Sequence, residues 1–145
     1  MNTLLSLALA AVMNGSAPEQ SLPNSPEGYY ALGQEFANCS AHQALTAFVA
    51  GRAGSPDATT LAEGRARGWK FAGMVFLAEG LDPSRRSQTE RTFDSLVQVK
   101  LNELKSRYDV DADAPKEAIP KEYARECAPL VPMQEMVIEM MGRTG

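Results

Sequence analysis

"SPEGYYALGQEFANCSAHQALTAFVAGRAGSPD", residues 25–57, carries the same kind of signature at both ends. Ser25-Pro26-Glu27 and Ser55-Pro56-Asp57 each set a hydroxyl where a helix N-cap is needed. A proline comes next, at the first helical position, and an acid stands in the first turn. Proline is tolerated there because that N–H has no intrahelical partner. Asp82-Pro83-Ser84 repeats the device further on. The first helix therefore runs from Pro26 to about Arg52, stopping before Gly54. The second runs from Pro56 to Gly80, and the third from Pro83 to about Tyr108. After the polar stretch "DVDADAPKEA", with room for a helical turn beyond Asp113, a fourth runs from about Pro120 to Met141 and ends at Gly142.

Apolar spacing agrees with helices. Tyr123, Cys127, Leu130, Gln134, Val137 and Met141 recur every three or four residues and form a seam on the fourth helix. Phe93, Val97, Leu101, Leu104 and Tyr108 share a face of the third. On the second, Leu61, Trp69, Ala72, Val75 and Phe76 are assigned to the buried face. Gly64, Gly68 and Ala72 form a small-residue row that lets a neighbouring helix approach. The first groups Tyr29, Leu32, Gly33, Phe36, Ser40, Ala44, Ala47 and Phe48. No stretch alternates as a strand does. Short loops between long helices make neighbours antiparallel, so the expected fold is all-α, an up-down-up-down four-helix bundle.

The only two cysteines sit in the first and last helices, as Cys39 and Cys127. Cys39 is half-way along its helix. Cys127 lies at the matching height of an antiparallel partner, within about one residue or roughly 1.5 Å. Ser40, Ala41 and Ala128 are small enough to let the backbones approach. A disulfide between first and last helices is therefore expected, and it belongs in an oxidising compartment.

The start of the chain fits that compartment. Leu4 to Met13 is an apolar run of about ten residues, too short to cross a bilayer, and small residues come after it at Gly15, Ser16 and Ala17. Residues 1–17 read as a signal peptide, 18–25 as a linker and 26–145 as one helical domain. The expected location is periplasmic or secreted.

The sole histidine, His42, lies one turn beyond Cys39. With Phe36 at the centre of the apolar arc, Cys39 falls about 60° to one side and His42 about 120°, at a rate of about 100° per residue. His42 is therefore expected on a polar rim, and the pair reads as a structural cysteine beside a surface histidine. A zinc site of Cys39, His42, Cys127 and Glu126 competes with that reading. So does soft-metal binding by His42 with Met133, Met136, Met140 and Met141. A Cys39–His42 nucleophile would need a free thiolate and an orienting third group.

Net charge is −4, which opposes general affinity for nucleic acid or anionic lipid. Arg65, Arg67, Lys70, Arg85, Arg86 and Arg91 read as a solvated basic face. Asp109, Asp111 and Asp113 mimic the start of a calcium loop without its glycine or terminal glutamate, and read as a polar turn. No phosphate loop, haem motif or dinucleotide fingerprint is present, and no cofactor or catalytic set is expected. Gln134 is the polar residue expected on a core seam. Met133, Met136 and Met140 are assigned to a binding surface on the last helix, covered by a protein partner or by a second copy in a homodimer. The expected function is an exported, non-catalytic protein of inhibitor, immunity or envelope-accessory type. The alternative is a carrier of metal or small ligand that uses the bundle core or His42 with the methionines.

Overall fold

The computed structural model describes residues 22–144. The expected signal peptide, residues 1–17, and residues 18–21 of the linker lie outside the described residues. The helices are α1 (Pro26–Arg52), α2 (Pro56–Gly80), α3 (Thr89–Val110), α4 (Ala118–Glu126) and α5 (Val131–Thr144). Together they make an up-down-up-down four-helix bundle whose fourth leg is broken into α4 and α5. No strand occurs among the described residues.

The three proline signatures act differently in detail. Ser25 is extended, and its Oγ accepts a hydrogen bond from the Gly28 N–H at 3.1 Å. Ser55 makes no such side-chain cap; instead its carbonyl accepts the Thr59 hydroxyl at 2.8 Å. Asp82 caps through the Ser84 N–H at 3.0 Å, but Pro83–Gln88 form a 3-10 turn, and α3 begins only at Thr89. Gly54 stops α1 with φ +73°, the left-handed conformation glycine adopts without Cβ strain.

The fourth helix is not continuous, contrary to the expected Pro120–Met141 span. A 3-10 turn at Ala128–Leu130 separates α4 from α5. Pro129 offers no N–H, and its ring clashes with the carbonyl one turn back; Pro132 is admissible because it sits in the first turn of α5. Beyond Leu130 the inward positions are Met133 and Val137, while Gln134 is only half-buried.

The main core joins Phe36, Trp69, Phe76, Leu77 and Phe93 with Cys39, Cys127, Leu130, Met133 and Val137. Phe36 meets Trp69 and Phe76 edge-to-face, with centroids 5.2 and 5.3 Å apart. A second cluster of Ala41, Leu45, Leu104, Ala114 and Ile119 lies further along α1. α1 and α2 approach closely at Gly80, which lies against the Tyr30 backbone, at Gly33, which lies against Leu77, and at Gly73, which lies against Phe36 and, on α3, Phe93. Of the expected Gly64–Gly68–Ala72 row, Gly68 faces α5, with its missing Cβ position 3.1 Å from Gln134 Nε2. Gly64 faces only its own helix, and Leu61 is 57% exposed rather than buried.

The middle of α1 is buried nearly all round: Ala37, Cys39, Ser40, Ala41, His42 and Gln43 are all inside. α1 packs against α2, α3 and α4 together. A helical wheel drawn with one apolar face cannot describe a helix enclosed on three sides.

Candidate functional site

Cys39 and Cys127 are joined, with Cα atoms 5.7 Å apart, within the range a disulfide needs. Both are buried. No free cysteine occurs among the described residues, so neither sulfur is available as a thiolate ligand or nucleophile.

The disulfide sets an antiparallel register between α1 and α4. Moving forward from Cys39 and backward from Cys127 brings His42 opposite Glu122 and Tyr123. His42 is 2% exposed, which corrects the expected surface position. Its ring meets Tyr123 at 5.7 Å between centroids, and Tyr123 Oη in turn accepts a hydrogen bond from Trp69 Nε1 at 3.2 Å. His42 Nε2 lies 3.5 Å from Glu122 Oε1, close but outside hydrogen-bond geometry. Burial pushes the imidazole below its ordinary pKa; Glu122 opposes that shift and Lys100 adds to it. The balance favours the neutral ring.

Glu122 anchors a charged network. Lys100 Nζ approaches its Oε1 at 3.0 Å, and an Arg107 Nη approaches its Oε2 at 2.6 Å. The same two cations reach Glu103 at 3.3 and 3.4 Å. Desolvation would raise the Glu122 pKa, but hydrogen bonds from Arg107 and Lys100 overcome it and hold the carboxyl down at about 2. Glu126, one turn along α4, brings a second carboxylate to the same place. Ligand atoms of His42, Glu122 and Glu126 all lie within 4.8 Å of one another. Glu35 on α1 is pushed above its ordinary pKa, by burial first and by Glu126 second.

A cavity of about 300 Å³ opens beside His42. Leu45, Val49, Ala50, Pro115 and Ile119 form apolar walls, and His42, Gln43 and Tyr123 supply polar groups. Among the described residues, the buried side-chain nitrogens and oxygens that lack a hydrogen bond are His42 Nδ1, His42 Nε2 and Gln43 Oε1. All three belong to residues lining this cavity.

The methionines assigned to a surface are placed differently. Met133 is 1% exposed, inside the main core. Met136 and Met140 are half-buried, Met136 against that core. Asp111 Oδ1 accepts the Asp113 N–H at 2.9 Å, which makes the acidic stretch a turn. Lys70 is paired across to α3, with Asp94 at 3.0 Å and Glu90 at 3.6 Å.

Nothing in the sequence pattern singles out Glu122, Gln43, Lys100 or Arg107. A clue is present nonetheless, because once Cys39 and Cys127 are paired, the residues one turn from each must meet. Compared with known proteins, the chain matches no family model, no curated protein and no solved structure.

Proposed function

We propose that this protein is a non-catalytic, exported binding protein whose site is the cavity between α1 and the segment 115–123. Its ligand is small, neutral and mostly hydrocarbon, with a hydroxyl-type head. The unsatisfied buried atoms of His42 and Gln43 in an otherwise apolar cavity carry this reading. A buried polar atom without a partner costs about 1–3 kcal/mol, a cost that a ligand head could relieve. Gln43 Oε1 needs a donor, and a neutral imidazole offers one donor and one acceptor, so a hydroxyl meets both. Pockets of this kind, apolar with a few polar groups, are typical of small-molecule sites. The buried disulfide and the apolar run at Leu4–Met13 support export.

The single tryptophan is bonded to Tyr123 at the cavity wall, so its fluorescence is a built-in reporter. Titration with 1-octanol or 1-decanol is expected to give a saturable change that Val49→Trp, which fills the cavity, abolishes. A linear, non-saturating response, or one unchanged in that variant, would sink the reading.

A second reading, docking of a protein partner, is favoured by one observation. Leu61 and Phe71 on α2 are 57% and 48% exposed and share an arc of about 80° with Gly64 and Gly68. Ile138 of α5, 39% exposed, adjoins at Gly68. Exposed apolar side chains gathered in this way mark interaction surfaces more often than scattered ones. Capture of a saturable envelope partner that is lost in Phe71→Asp would support it.

A further inference from the structure

We propose that His42, Glu122 and Glu126 form a site for a divalent transition-metal ion, with zinc(II) the best chemical fit. The site shares only His42 with the cavity wall, of which Glu122 and Glu126 are not part, so metal uptake and alcohol binding are tested separately. It stands on three observations. First, the imidazole is almost wholly buried and has no hydrogen-bond partner at either nitrogen. Buried histidines ordinarily have one, so this ring is positioned for a group outside the protein's own polar set. Second, its Nε2 lies 3.5 Å from Glu122 Oε1. Donors on a tetrahedral zinc, bound at about 2.0–2.2 Å, lie roughly 3.3 Å from each other. The His42–Glu122 pair therefore already has nearly the separation of two ligands on one ion. Third, Glu126 completes the set from the next turn of the same helix, inside the 4.8 Å grouping, and being exposed it can rotate to shorten the remaining gap.

The neighbours suit this use. Lys100 and Arg107 hold both oxygens of Glu122 and keep it ionised, as carboxylate ligands in metal sites are held by hydrogen bonds from behind. Glu103 shares the charge of those two cations, which reduces their repulsion of a third. Imidazole with carboxylates suits zinc better than calcium, which prefers an all-oxygen set, or copper(I), which prefers sulfur. Three protein ligands leave a fourth position for water or another small ligand. With Cys39 and Cys127 tied in the disulfide, no sulfur takes part.

The test uses the untagged, disulfide-intact chain freed of metal by chelator, titrated with Zn²⁺ by calorimetry and with Co²⁺ by visible absorption. One ion per chain is expected, with Co²⁺ giving the intense bands of a four-coordinate site. Glu126→Gln, an exposed change that preserves the fold, should weaken Zn²⁺ binding roughly tenfold or more. His42→Ala should abolish it, and Glu90→Gln on α3 should leave it unchanged. Absence of saturable uptake by the wild type would overturn the site. So would uptake that either Glu126→Gln or His42→Ala leaves at full affinity.

Discussion

Phe36 and His42 lie under two turns apart on α1, with Cys39 midway, and both are buried, yet their surroundings have opposite characters. Around Phe36 the partners are Trp69, Phe76 and Gly73, and the contacts are rings packed edge-to-face. Around His42 they are Glu122, Tyr123, Gln43 and a cavity. On the Phe36 side of Cys39 the helix gains stability from close packing. The other side holds polar atoms that packing has left without partners. Local rules usually agree throughout a natural fold and give way where function is served, which is why the proposed ligand site is placed at His42.

The staple between the two ends is the first place to break the comparison. Cys39→Ser with Cys127→Ser should lower stability by about 4–5 kcal/mol, because the crosslink closes a loop with a sequence separation of 88 residues in the unfolded chain. Denaturant unfolding of oxidised and mutant protein measures this. A loss well under 2 kcal/mol would mean that helix packing alone holds the register between α1 and α4.

Phe36→Ala should cost about 3–5 kcal/mol while leaving alcohol affinity at the cavity unchanged in the fraction that remains folded. Equal damage to both would show that the two ends are not separable.

Acid should weaken the His42 end selectively. The folded pKa of Glu122 is about 2, below its ordinary 4.5, so its contribution is fully present above pH 4.5 and is lost as pH falls toward 2. With partial solvent screening this amounts to about 1–2 kcal/mol. His42, depressed from 6.5, starts the decline earlier, because a buried neutral ring resists the protonation that the unfolded chain accepts. Stability of the metal-free protein should therefore fall in two stages on acidification, and His42→Gln should remove the upper one. A flat profile from pH 7 to 5 in the wild type would contradict the neutral buried ring.

The smallest effect is the most discriminating. Gln43→Met keeps the volume and removes the unsatisfied oxygen, so stability should hold or rise by about 1 kcal/mol while alcohol binding weakens. A loss of stability would show that Gln43 is satisfied in solution and does not wait for a ligand.

Much of the fold is legible along the chain. Proline after a capping residue marks where α1 and α2 begin, because that chemistry is local and needs no knowledge of neighbours. The Cys39–Cys127 pairing rests on matched heights on antiparallel helices, which is geometry of regular structure. The features that escape such reading depend on what surrounds a residue. Met133 and Gln134 flank the face that carries Leu130 and Val137, and which of the two is buried is set by the helices packed against it. A wheel puts His42 on a rim because one wheel supposes one buried face, whereas α1 is enclosed by α2, α3 and α4. Glu122, Lys100 and Arg107 come from two other helices, and nothing in their local sequence announces that they meet. Sequence by itself determined the all-α class, the starts of α1 and α2 and the staple, since these depend on caps, spacing and chain geometry. Only the tertiary structure decided that the lone histidine is buried beside paired carboxylates, because burial is a property of the helices packed around a residue and not of the residue's own helix.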